Sequence, residues 1–156
     1  MKVLVDTSVW SLALRRRSLS SKEVETGEGR ELGRLIADAN VAIIGAIRQE
    51  LLSGIREPAQ FARLRTKLSA FRDLRVESAD YETAAAYFNR CRTRGIQGSN
   101  TDYLICAVAV REGIPILTTD GDFASFKKIL PIVLHKYPSA GVGFVRLGSR
   151  QRGNNE

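Results

Sequence analysis

Five carboxylates carry the chemical interest of this chain: Asp6, Glu50, Asp102, Asp120 and Asp122. Asp6 ends the apolar run Val3-Leu4-Val5, and Asp120 ends Ile116-Leu117-Thr118-Thr119, with Asp122 two residues on. Short apolar runs of this kind read as strands buried on both faces of a parallel sheet. In open parallel sheets, sites form at the carboxyl ends of the strands. Asp102 falls in the first turn of an expected helix. Glu50 falls in the helix after a second apolar run, Val41 to Ile44. Carboxylates that converge in a cleft cannot all stay ionised unless something positive holds them. Oxygen-only ligands select Mg²⁺ or Mn²⁺ over Zn²⁺, and Mg²⁺ typically shares its remaining positions with water and phosphate oxygens. The chemistry that suits these residues is metal-assisted attack on a phosphodiester.

Each acid also has a plainer role open to it. Asp102 in a first helical turn complements the helix dipole. Asp120-Gly121 is turn chemistry, and Asp122 can cap a short helix over Phe123 to Ile129. Glu50 on an amphipathic helix suits a solvated face. Asp6 is hardest to dismiss, because an acid closing a buried strand near other acids repels them.

The elements that must position these residues alternate. Strands are expected at Lys2 to Val5, Val41 to Ile44, Ile114 to Thr119 and Ile129 to His135, with a short one at Arg75 to Glu77. Helices are expected at Glu23 to Ala39, Ala46 to Ile55, Pro58 to Leu74, Ala79 to Arg94 and from Asn100 or Thr101 to Glu112. The first helix is secure only in its second half. Gly27, Gly29 and Gly33 each cost it about 1 kcal/mol against alanine. Gly54, Gly95 and Gly113 stand where helices stop. Gly27-Glu28-Gly29 is no dinucleotide fingerprint, since no strand precedes it. The pattern is α/β: a three-layer α/β/α arrangement around a mostly parallel sheet of four to five strands. Residues 1–147 read as one domain and 148–156 as a polar tail.

Composition narrows the class. The chain has 156 residues, of which 24 are Lys or Arg and 17 Asp or Glu, for a formal charge of +7. That length suits one domain, and 44% hydrophobic content excludes global disorder. No apolar run approaches the ~20 residues of a membrane span. The start, Met1-Lys2-Val3-Leu4-Val5-Asp6, is not a signal peptide. Cys91 and Cys106 match no zinc or redox spacing and read as reduced core thiols of a cytoplasmic protein. The basic excess favours an anionic partner. Arg15-Arg16-Arg17 lies nearest the expected acidic edge and is the first candidate for the phosphates of an anionic partner. Arg63, Arg65 and Lys67, and Arg90, Arg92 and Arg94, read as solvated helix faces. Trp10 reads as a core residue, with the wall of a partner groove as its functional alternative. The lone histidine, His135, lies far from the acids and reads as a satisfied structural residue.

Four stretches together resemble the PIN-domain nucleases, and among them the VapC toxins. They are Val3-Leu4-Val5-Asp6-Thr7-Ser8, Gln49-Glu50-Leu51-Leu52-Ser53-Gly54, Thr101-Asp102-Tyr103-Leu104-Ile105-Cys106-Ala107 and Ile116-Leu117-Thr118-Thr119-Asp120-Gly121-Asp122-Phe123. The likeness runs in order from residue 2 to about residue 135. Each motif is weak alone; four in this order are specific. Cys106 departs from the family, standing where a small alanine is frequent.

The resemblance implies a Mg²⁺- or Mn²⁺-dependent endoribonuclease that leaves 5′-phosphate and 3′-hydroxyl ends. Asp6, Glu50, Asp102 and Asp120 fall on the family's acidic quartet, and Asp122 on a further acid whose share in metal binding varies. Ser8 and Thr118 fall on supporting hydroxyl positions. A VapB-type antitoxin, a homodimer, and a heterotetramer or larger assembly with the antitoxin are also implied. Two other readings compete. A haloacid-dehalogenase-like phosphatase wants a second Asp two residues after Asp6, where Ser8 stands. A degenerate PIN domain that only binds RNA or protein would lack acids that are all present here.

Overall fold

A computed structural model describes residues 1–15 and 27–138, with the backbone alone at Arg15. The centre is β1 (Val3–Val5), buried along its whole length. Two strands flank it in parallel: β2 (Val41–Ala42), in register Val3 to Val41, and β3 (Ile116–Leu117), in register Leu4 to Ile116. All three are apolar because a central parallel strand meets packing on both faces. The named sheet has three strands, short of the four to five expected. Each outer edge adds a single parallel bridge, Ile43 to Asp73 and Ile116 to Leu134. The expected strand at 129–135 is therefore a one-residue contact at Leu134, and the one at 75–77 a one-residue contact displaced to Asp73.

Seven helices complete the described chain: α1 (Thr7–Arg15), α2 (Gly27–Ala37), α3 (Gly45–Leu52), α4 (Pro58–Leu68), α5 (Ser78–Arg92), α6 (Asn100–Glu112) and α7 (Asp122–Lys127). The order alternates as an α/β fold requires. Three details differ from the sequence reading. Residues 7–15 form a helix where none was expected. α4 stops at Leu68, because Leu74 donates its N–H to Ile43 and so joins the sheet edge. Ser99, rather than Asn100 or Thr101, caps α6. Pro58 opens α4, where its missing N–H costs nothing, and Gly113 closes α6 at φ 65°.

The core gathers beneath the site. Tyr103 packs against Phe88 and Phe126, and Phe126 against Phe123. Trp10 is buried, crosses Phe71 edge to face, and donates Nε1–H to the Val5 carbonyl. It is a core residue and not a groove wall. Cys91 and Cys106 are buried thiols.

Three ionic clusters tie elements together. Arg48 of α3 grips Asp73 and the carbonyls of Leu68 and Phe71, fixing the end of α4. Asp80 of α5 accepts from Arg111 of α6 and from the Glu77 N–H, and Arg111 holds its carboxyl below the usual carboxylate range. Glu31 of α2 accepts from Arg34 and lies 2.7 Å from His135 Nε2, which anchors the final described stretch. His135 thus has a structural partner, as expected of it. No helix among the described residues is long and apolar enough to cross a membrane. Arg16, Arg17 and the tail 148–156 lie outside the described residues, as does the Arg15 side chain.

Candidate active site

Asp6 leaves the buried β1 strand and enters α1. Its N–H donates to the Leu117 carbonyl, continuing the ladder to β3, and its carbonyl accepts from Val9 at the start of the helix. The side chain is 4% exposed, so it needs partners. Two hydroxyls supply them. Ser8 Oγ and Thr118 Oγ1 each donate to Asp6 Oδ2 at 2.8 Å. Both hydroxyls accept in turn, Ser8 from the Thr119 N–H at 3.1 Å and Thr118 from the Asp120 N–H at 3.0 Å. The ends of β1 and β3 are thereby stitched into one polar cluster, with both supporting hydroxyls in direct contact with Asp6.

Asp102 arrives from α6. Ser99 and Asp102 form a capping box. The Asp102 N–H donates to Ser99 Oγ, and the Ser99 N–H donates to Asp102 Oδ2 at 3.0 Å. Burial pushes the Asp102 carboxyl up from its ordinary pKa. The Ser99 bonds oppose that rise, and the charges of Asp6 and Asp120 add to it. Asp6 and Asp120 therefore both bear on Asp102 at one end of the sheet.

Glu50 is exposed on α3 and held by Thr7, whose Oγ1 donates to Glu50 Oε2 at 2.7 Å. Thr7 follows Asp6 directly, so this bond brings Glu50 to the edge of the cluster. Asp120 Oδ1 accepts from the Asp122 N–H at 2.9 Å, which opens α7. Asp122 itself is exposed, and it is the first residue of α7 rather than its cap. Sequence reasoning passed over Thr7 and Ser99. The signal for each was present, a hydroxyl residue at a helix start beside an acid.

The donors are carboxylate and hydroxyl oxygens, a set that fits a hard divalent cation and not a soft one. Among the described residues, no three acidic, His or Cys side chains are drawn tightly enough together to hold a metal as they stand. Local donors engage two of the acids, Ser99 at Asp102 and Thr7 at Glu50.

The PIN domain family model matches residues 3–129. The chain belongs to the PIN domain family. Within it, this PIN domain is 30% identical over 132 residues to the VapC ribonuclease Mb1587 of Mycobacterium bovis, a match covering 81% of the chain and 92% of the relative. It has the same identity and coverage with Ribonuclease VapC11 of Mycobacterium tuberculosis. These relatives place it among the VapC ribonucleases. Solved structures share the fold at 20% identity. VapBC2 from Rickettsia felis, bound to a DNA fragment from its promoter, has a TM-score of 0.68 and covers 88% of this chain and 100% of that one. FitAcB from Neisseria gonorrhoeae has a TM-score of 0.65, covering 86% and 96%.

Proposed function

We propose that this PIN domain is the toxin of a VapBC pair and acts in the cytoplasm as a Mg²⁺- or Mn²⁺-dependent endoribonuclease. Asp6, Asp102 and Asp120 would hold one divalent ion, and Glu50 would complete that site or share a second. The observation that carries this is the placement of Asp6, Asp102 and Asp120 at the carboxyl edge of a parallel sheet, where Thr118 bridges Asp6 to the Asp120 N–H and both charges bear on Asp102. When bound, the ion supplies Lewis acidity toward the phosphate and lowers the pKa of attacking water. The chain's own residues do the positioning. Ser8 and Thr118 fix one oxygen of Asp6, and Ser99 orients Asp102. Thr7 restrains Glu50 beside them. Water attacks in line, leaving 5′-phosphate and 3′-hydroxyl ends. A metal-free ribonuclease needs a general acid and base, usually His, and the chain's one histidine is engaged with Glu31. Asp122 contributes its backbone to the Asp120 turn, with its carboxylate available to an outer metal position.

A VapB-type antitoxin is the proposed inhibitor, and a homodimer, joined by antitoxin into a heterotetramer or larger assembly, the proposed form. The test is cleavage of RNA by the purified chain with Mg²⁺, Mn²⁺ or a chelator, followed by analysis of the new ends. The expected result is cleavage with either ion, none with chelator, and 5′-phosphate products. Unchanged cleavage in chelator, or cyclic-phosphate ends, would sink the proposal.

A further inference from the structure

A groove of about 760 Å³ lies between α1, α3 and α4, with Glu50 in its lining. Leu14, Leu51 and Leu64 line it, together with Arg63 and Lys67 of α4. Arg63 and Lys67 are four residues apart, so they share a helix face; Arg65, between them, does not line the groove. α4 carries three basic residues and no acid. Neither Arg63 nor Lys67 has an ion-pair partner among the described residues. Two cations without an ion-pair partner thus share a concave surface with Glu50, which Thr7 ties to the edge of the acidic cluster.

We infer that this groove carries the RNA strand away from the site, with Arg63 and Lys67 on its phosphates. The inference rests on the ribonuclease reading. A strand with one phosphodiester at the acids must continue past them. Its flanking phosphates are repelled by carboxylates and need cations close by. Arg63 and Lys67, both exposed on the groove face of α4, supply those charges. In sequence these residues look spread around a solvated helix. The fold separates them into a groove face, Arg63 and Lys67, and an outer face, Arg65.

The experiment uses that separation. Binding of a fluorescent single-stranded oligoribonucleotide is measured by anisotropy across a salt series with Mg²⁺ present. Every sample also carries Asp6→Asn, so that the strand stays whole. The full-length parent is compared with Arg63→Gln/Lys67→Gln and with Arg65→Gln, after matched melting curves confirm folding. The double variant is expected to lose affinity about tenfold or more and to lower the salt slope by about 1.4, at ~0.7 per single-strand phosphate contact. Arg65→Gln should change neither. Equal binding by the double variant, or an equal loss in Arg65→Gln, overturns the inference; a groove that serves a protein partner alone gives the first of these. Failure of the ribonuclease reading shows separately, as absence of Mn²⁺-dependent cleavage by the unmodified chain. Normal cleavage by Arg63→Gln/Lys67→Gln on the native site, with unchanged binding, would overturn the groove alone.

Discussion

The Thr7 hydroxyl donates to Glu50 Oε2 at 2.7 Å across 43 residues of sequence. It is the bond that sets where Glu50 stands relative to Asp6, because Thr7 is the next residue in the chain. Glu50 is otherwise an exposed side chain with its rotamers open. A charge-assisted bond of this kind is worth about 1.5 kcal/mol at the low end expected for an exposed pair. Thr7→Val should therefore reduce cleavage about tenfold at limiting Mn²⁺ and less at saturating Mn²⁺. Thr7→Ser should restore it. Cleavage rates across a Mn²⁺ series check both. Equal rates for Thr7→Val and wild type at every concentration would remove Thr7 from the account.

Ser8 and Thr118 meet at one oxygen of Asp6. Ser8→Ala and Thr118→Val should each lower activity by about tenfold, the cost of one hydrogen bond to a charged group. Because they share an acceptor, their effects should not add. A double-mutant cycle on cleavage rate should show a coupling of at least ~0.5 kcal/mol. Strict additivity would mean that the two hydroxyls act independently.

Asp102 titrates against its surroundings. Burial, with the charges of Asp6 and Asp120, raises its folded pKa above the ordinary 3.8. An acid raised in this way keeps its proton longer when folded than when unfolded. Below 3.8 nothing is lost, and stability falls as pH rises through the folded value. Metal-free Asp102→Asn, which still accepts the Ser99 N–H, should melt above wild type at pH 7. The gap should close as pH falls toward 4. Added Mn²⁺ should reverse the order, because only the wild-type site gains from binding. Thermal melts with and without Mn²⁺ at several pH values read all three outcomes.

Gly98 lies one residue before the cap of α6. A Cβ there would stand 2.5 Å from Phe126 Cζ and 3.1 Å from the Tyr103 ring. Neither ring can give way, since both belong to the buried aromatic cluster. Gly98→Ala should destabilise the fold by about 1–3 kcal/mol, the usual cost of overpacking. It should also lower activity, because the displaced segment carries Ser99 and Asp102. Urea unfolding beside a cleavage assay tests this. An unchanged midpoint would show that the segment yields.

The carboxylate-bearing edge of the sheet was legible because its residues sit at breaks in hydrophobic pattern. Val3 to Val5 and Ile116 to Leu117 are too apolar for anything but buried strands, and the acids follow directly. The extent of the edge strands was not legible, since one bridge at Asp73 and one at Leu134 are too short to leave a periodic trace. α1 escaped for a different reason. Trp10, Leu12 and Leu14 alternate like a strand, and the helix is settled by Asp6, whose carbonyl accepts from Val9 and Trp10. The sorting of Arg63 and Lys67 from Arg65 was hidden too. Helical phase relates those residues to each other, but only the packing of α4 beside α3 decides which face meets the groove.

The most direct test of the central claim pairs metal binding with cleavage at Asp6. Mn²⁺ is titrated into the metal-free chain, with binding followed by calorimetry and RNA cleavage measured at the same concentrations. The account predicts that binding and cleavage rise together and that Asp6→Asn loses both. Cleavage by Asp6→Asn at the wild-type rate, or cleavage by the wild type with no Mn²⁺ or Mg²⁺ bound, would contradict it.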